Sequence, residues 1–236
     1  MDRRAFLLSL SAAAIACRRG RESSTLCFAA ASTTDALTEL GRERAVRFSW
    51  GSSGDLARQI LAGAPAELFL SADEARVDAL EKAGLVASRR DLLANRLVVV
   101  VPKDSPAKLA SAAELVSLSK IAMGDPATVP AGTYGKQWLE RAGAWSGLAS
   151  RIVPTLDVRA ALTAVEGGAV DAAIVYRTDA AISRNVRVAF EPSEQPRIVY
   201  PLAILTRARP AARAFADYLE SAEARKVFAR HGFAFP

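Results

Sequence analysis

From Leu26 onward, short runs rich in β-branched and aromatic residues alternate with longer segments of helical periodicity. That alternation restricts the chain to an α/β fold with mainly parallel sheets, because each strand must reach its neighbour through a helical crossover. Leu26 to Ala31, Val46 to Trp50 and Glu67 to Ser71 read as strands. Helices follow them from about Thr34, from Asp55 and over Asp73 to Lys82, the last stopped by Gly84. The run Leu97-Val98-Val99-Val100-Val101 ends at Pro102 and reads as a strand buried on both faces.

The same grammar restarts beyond Pro102. Helices are expected near Ala112 to Leu118, around Tyr134 to Ala142 and over Val158 to Glu166, with strands at Lys120 to Met123, Ile152 to Pro154 and Ala172 to Tyr176. Residues 197–205 supply a strand pair or one long strand, and Ala211 to Ala229 reads as one C-terminal helix. The two apolar runs near 97–101 and 198–205 bracket the middle of the chain and suit crossings between two lobes.

The opening, MDRRAFLLSLSAAAIACRRG, reads as an address label. Its apolar stretch of about a dozen residues is shorter than the about 20 that cross a bilayer core. Paired Arg3 and Arg4, a short apolar middle and small residues before a break form an export signal over residues 1–16. The arginine pair resembles a twin-arginine signal, and Ala14-Ile15-Ala16-Cys17 resembles a lipoprotein cleavage box with Cys17 as the lipidated residue. Cys27 is then the remaining cysteine, expected as a small buried residue.

The chain has 236 residues, and its net charge of +6 becomes +5 once Asp2, Arg3 and Arg4 are removed with the signal. A mild positive excess favours anionic partners. The arginines are scattered through helical segments with no aromatic-basic motif, so no nucleic-acid partner is expected.

Four loops place small or hydroxyl residues where a strand hands over to a helix: Ala30-Ala31-Ser32-Thr33, Ser52-Ser53-Gly54-Asp55, Val129-Pro130-Ala131-Gly132 and Leu156-Asp157-Val158. Helix N-termini expose unpaired N–H groups with partial positive charge and suit anions. Each loop taken singly also reads as routine helix capping.

Longer motifs narrow the reading. AAAS at 29–32, GSSGDLARQI at 51–60, GAPAELFLSAD at 63–73 and LVVVVPK at 97–103 resemble the molybdate-binding components of ABC importers. So do GDPATVPAGTYGKQWLERAGAW at 124–145, DVRAAL at 157–162 and AAIVYRTDA at 172–180, in order along nearly the whole mature chain. The resemblance implies a two-lobed periplasmic-binding-protein fold, type II like. Lobe 1 would take 26–97 and 202–236, and lobe 2 would take 98–201.

It also implies a ligand set for molybdate or tungstate: the hydroxyls of Ser32, Ser53 and Tyr176 and the backbone N–H groups of Ala131 and Val158. Molybdenum would enter only as its oxyanion at these residues, with no resident cofactor. The implied partners are the membrane permease of the importer and the anion itself, with the chain a monomer in the periplasm or anchored at the outer face of the membrane. Three departures from the family pattern bear on the site. Gly54 replaces a hydroxyl, Arg177 could bring positive charge near the cleft mouth, and Leu156 precedes Asp157.

Other readings are a receptor for another tetrahedral oxyanion such as sulfate, a sensor that reports the anion to a membrane partner, and a serine hydrolase. For the last, His231 is the sole histidine and Ser53 its conceivable nucleophile, yet GSSGD is no nucleophile elbow. GTYGK at 132–136 lacks P-loop spacing. No catalytic activity is expected.

Overall fold

The computed structural model describes residues 24–236. The export signal and Cys17 lie outside the described residues. Two five-stranded sheets form the frame, each with helices against it.

The first sheet runs in the order β2-β1-β3-β10-β4, where β1 is Thr25–Ala30, β2 Val46–Gly51, β3 Leu68–Leu70, β4 Val86–Asn95 and β10 Ile198–Leu205. The second runs β7-β6-β8-β5-β9, with β5 Leu97–Pro102, β6 Ile121–Gly124, β7 Ile152–Thr155, β8 Ala172–Tyr176 and β9 Val186–Phe190. The helices are α1 Thr34–Gly41, α2 Ser53–Leu61, α3 Glu74–Lys82, α4 Pro130–Arg141, the short α5 Trp145–Leu148, α6 Val158–Glu166, α7 Arg177–Ile182, α8 Pro210–Leu219 and α9 Ala222–Arg230.

The α/β expectation holds, with one correction to the sheets: each is mixed. β1 pairs parallel with β2 and β3, while β10 pairs antiparallel with β3 and β4. The second sheet repeats this, β6 parallel to β7 and β8, and β5 antiparallel to β8 and β9. The antiparallel strands are those that carry the chain between the lobes. A strand arriving from the other lobe is not constrained by a right-handed crossover and can pair in either sense.

Neither apolar run spans both sheets. Leu97 sits opposite Tyr176 inside the second sheet, and Ile198 to Pro201 pair with β4 in the first. The sheets therefore divide at Arg96 and within 191–197, so Leu97, expected in lobe 1, stands in the second sheet, and Ile198 to Pro201, expected in lobe 2, stand in the first. β5 and β10 are interior strands, Leu97 to Val101 and all eight residues of β10 being buried, which explains their unbroken apolar character. Fully burying one such side chain contributes roughly 1.5–3 kcal/mol.

β4 is the strand that hydropathy conceals. Its first half, Val86-Ala-Ser-Arg-Arg-Asp91, is polar because β4 is a sheet edge, where charged side chains block further pairing. Arg89 reaches Asp78 of α3 at 2.5 Å, and Arg90 reaches Asp217 of α8 at 2.9 Å. β9 is the other edge missed from sequence.

The expected single C-terminal helix is two. α8 ends at Leu219, and Ser221 opens α9 by accepting the Ala224 N–H at 3.1 Å. Near Ala112 only a short 3-10 segment, Ala113–Ser117, forms. Cys27 is fully buried on β1, and burial pushes its thiol up to about 12, so it packs as an inert apolar residue.

Candidate functional site

The ends of β1, β2 and β8, Ala72 just past β3, and the starts of α2, α4 and α6 meet at the junction between the sheets. They enclose a cavity of about 210 Å3, counting its open mouth. Ser32, Ser53, Ala131, Val158 and Tyr176 all line it, so the structure brings together the five residues expected from sequence. Ser32 lies in a 3-10 turn between β1 and α1, and Ser53 is the first residue of α2. Ala131 is the second residue of α4, after Pro130 at its N-terminus, and Val158 is the first of α6. Tyr176 ends β8 and caps α7.

Local chemistry makes these helix starts donors into the cavity. Ser52 and Asp157 spend their side chains on their own helices, accepting the Asp55 and Ala160 N–H groups at 3.1 and 2.9 Å. The first N–H groups of α4 and α6 have no intrahelical acceptor. Gly132 lets α4 begin this close to β6, since a Cβ there would stand 1.8 Å from the Gly124 carbonyl oxygen.

The three hydroxyls are all buried. Ser53 Oγ accepts the Ala72 N–H at 2.8 Å, which leaves its hydrogen for the cavity. Ser32 Oγ lies 2.9 Å from the Tyr200 hydroxyl. The Tyr176 hydroxyl is buried without any hydrogen-bond partner among the described residues. Burial holds its pKa well above the ordinary tyrosine value, so it stays protonated and able to donate. An unsatisfied buried hydroxyl costs about 1–3 kcal/mol, a deficit that an acceptor in the cavity would offset.

Among the described residues no lysine or arginine lines the cavity, and the one carboxylate in its wall, Asp157, is the cap of α6. The positive charge stands one layer back. Arg159 Nη2 donates to the Ser32 carbonyl at 3.3 Å and to Asp35 at 2.6 Å, while its Nε donates to Asp179 at 2.6 Å. Asp179 is fully buried, and desolvation lifts its carboxyl to about 6 against the opposing pull of Arg159. On the opposite flank, Arg76 of α3 donates to the carbonyls of Ala127 and Thr128, both at 3.4 Å. The two lobes thus touch on both sides of the cavity.

The departures resolve differently. Arg177 pairs with Glu191 and is not in the cavity wall. Leu156 is 81 % exposed beside the mouth. Gly54 faces Thr128 of the other lobe. His231 pairs with Glu39 at 2.9 Å, away from Ser53, so these two do not form a hydrolase pair. Arg159, Asn95 and Tyr200 were missed from sequence. Each has a partner more than a hundred positions away, Asp35 for Arg159, Tyr200 for Asn95 and Ser32 for Tyr200, and no linear motif signals these contacts.

A model of the bacterial extracellular solute-binding proteins matches residues 26–234. The chain is 42% identical over 223 residues to the molybdate-binding protein ModA of Escherichia coli, covering 87% of each. It is 41% identical over 218 residues to a putative ABC transporter substrate-binding lipoprotein of Bacillus subtilis, covering 87% of this chain and 84% of the relative. Among solved structures, the Azotobacter vinelandii periplasmic molybdate-binding protein superposes with a TM-score of 0.79 at 25% identity, over 90% of this chain and 100% of that one. A donor-lined cleft between two mixed sheets and a match along nearly the whole described chain lead to one assignment: this chain belongs to the bacterial extracellular solute-binding protein family.

Proposed function

We propose that the chain captures molybdate, and tungstate in the same manner, between its two lobes and delivers it to the membrane permease of an ABC importer. The observation that carries this reading is the buried, unpartnered Tyr176 hydroxyl in a cavity walled by donors. Molybdate at neutral pH is a fully deprotonated dianion and can only accept hydrogen bonds. Uncharged donors therefore satisfy it, as Ser32, Ser53, Tyr176 and the N–H groups of Ala131 and Val158 would. Phosphate keeps at least one proton at neutral pH and needs an acceptor, which disfavours it here. Sulfate carries no proton and is discriminated by its shorter bonds to oxygen. The likeness to molybdate-binding relatives supports the same ligand. Export, lipid anchoring through Cys17 and action as a monomer belong to the same proposal, and the Bacillus relative is described as a lipoprotein.

Titration calorimetry on protein lacking residues 1–17 tests the reading. Ser53→Ala and Tyr176→Phe each remove one hydrogen bond to a charged ligand, costing ~1.5–3 kcal/mol, or roughly 10- to 150-fold in affinity for molybdate. His231→Ala should bind as the parent does. Full-strength molybdate binding by both site variants, or tight phosphate binding by the parent, would overturn the assignment.

A further inference from the structure

We propose that Asn95 and Tyr200 are positioning residues that fix the direction of the Ser32 hydroxyl, holding it as a donor into the cavity. This rests on the oxyanion reading above and extends it to two residues outside the cavity wall.

The chain of bonds starts where the backbone passes between lobes. The Arg96 N–H can only donate, and it donates to Asn95 Oδ1 at 2.9 Å. That contact decides which end of the Asn95 amide is oxygen. Asn95 Nδ2 then spends its two hydrogens on Thr178 Oγ1 at 2.9 Å and on the Tyr200 hydroxyl oxygen at 3.2 Å. Tyr200, accepting there, keeps one hydrogen to donate, and the acceptor beside it is Ser32 Oγ at 2.9 Å. Ser32 accepts from Tyr200, so its own hydrogen is left for the cavity that it lines. Tyr200 is fully buried, and its ring is held edge-on against Tyr176 and Phe233, with centroids 5.8 and 5.6 Å apart, so the hydroxyl cannot swing away. Ser53 reaches the same state directly, through the Ala72 N–H.

The consequence is selectivity. A serine hydroxyl is chemically both donor and acceptor, and by itself would accommodate an oxyanion with or without a proton. With one lone pair taken by Tyr200 and its hydrogen directed inward, Ser32 meets a protonated oxygen hydrogen against hydrogen. The relay thereby makes an ambivalent side chain into a filter against protonated oxyanions.

Asn95→Asp tests it with nearly unchanged volume. A carboxylate oxygen at that place accepts the Tyr200 hydrogen, Tyr200 in turn accepts from Ser32, and Ser32 offers the cavity a lone pair. Molybdate affinity should fall at least about 10-fold, the lower end for one hydrogen bond to a charged ligand, and the molybdate-to-phosphate affinity ratio should fall with it. Tyr200→Phe only frees the Ser32 hydroxyl and should cost roughly 2- to 12-fold.

Both changes are repeated in a Ser32→Ala background, with calorimetry for molybdate and for inorganic phosphate and the ligand-free melting temperature as a check on folding. The relay predicts that each effect shrinks below about twofold once Ser32 is gone. Equal losses in both backgrounds would mean that the new charge or altered packing acts without Ser32, and would overturn the proposal. If Asn95→Asp does not fold, the Tyr200→Phe cycle decides alone. An unchanged molybdate affinity in Ser32→Ala itself would remove the site reading, a failure distinct from that of the relay.

Discussion

Arg159 Nη2 lies 2.6 Å from Asp35 Oδ2, so a cation on α6 of one lobe grips an anion on α1 of the other beside the cavity. The same guanidinium holds the fully buried Asp179 within its own lobe. These two partners separate closure from stability. Asp35 is 42 % exposed at its side chain, and an exposed pair contributes only about 0.2–1 kcal/mol. Asp35→Asn should therefore keep unfolding stability within ~1 kcal/mol of the parent while loosening the lobes. Arg159→Met strands Asp179 and should cost roughly 3–5 kcal/mol, the usual loss on breaking a buried pair. Urea unfolding of the two variants decides, and equal losses would contradict this division of labour.

Gly54 should govern how closely the lobes meet. A Cβ at this position would lie 2.0 Å from the Thr128 carbonyl oxygen, which belongs to the opposite lobe. Gly54→Ala adds a methyl that α2 itself tolerates well, since alanine gains about 0.5–1 kcal/mol over glycine within a helix. The expected result is a protein as stable as the parent but with molybdate affinity reduced more than tenfold, because the lobes are wedged apart. Small-angle scattering with saturating molybdate should give a larger radius of gyration than the parent. Parent-like affinity would show that this approach is not needed for binding.

Glu67 ties β3 to the start of α8 and carries a pH signature. Its Oε1 accepts from Arg209 N at 3.0 Å and from Arg209 Nε at 2.7 Å, and its Oε2 accepts from Leu26 N at 3.3 Å. The Arg209 guanidinium holds the Glu67 carboxyl below the ordinary glutamate value of 4.5. A depressed folded pKa contributes stability that is fully present above the unfolded value and is lost as pH falls through the folded one. Glu67→Gln should thus be less stable than the parent near neutral pH, with the gap closing below 4.5. Unfolding free energies measured in parallel from neutral pH downward check the sign. A gap that widens on acidification would refute it.

Cys17→Ala should release the protein from the membrane fraction into the soluble envelope fraction. The motivation is an apolar run that ends in small residues and a cysteine. Fractionation, with mass spectrometry of the mature N-terminus, provides the check. A soluble parent whose mature chain does not begin at Cys17 would end the lipoprotein reading.

The sequence by itself determined the elements that are uniform in character. Leu97 to Val101 and Ala172 to Tyr176 are apolar on both faces because they lie inside a sheet, and Val158 to Glu166 has a capping Asp157 and an apolar stripe. Short-range chemistry writes such elements, and the candidate hydroxyls and helix starts could be named because each sits at a junction that its own neighbours create. Edge strands escaped. Arg89, Arg90 and Asp91 of β4 look like loop residues until one sees that no described strand pairs beyond them, that Arg89 and Arg90 find partners on α3 and α8, and that Asp91 pairs with Arg197. Tertiary structure alone decided the direction of each hydroxyl and the grip between lobes. Ser32 meets Tyr200 across 168 positions, and Arg159 meets Asp35 across 124. A hydrogen bond depends on where atoms stand in space, and residues that far apart in the chain leave no periodic trace of being neighbours.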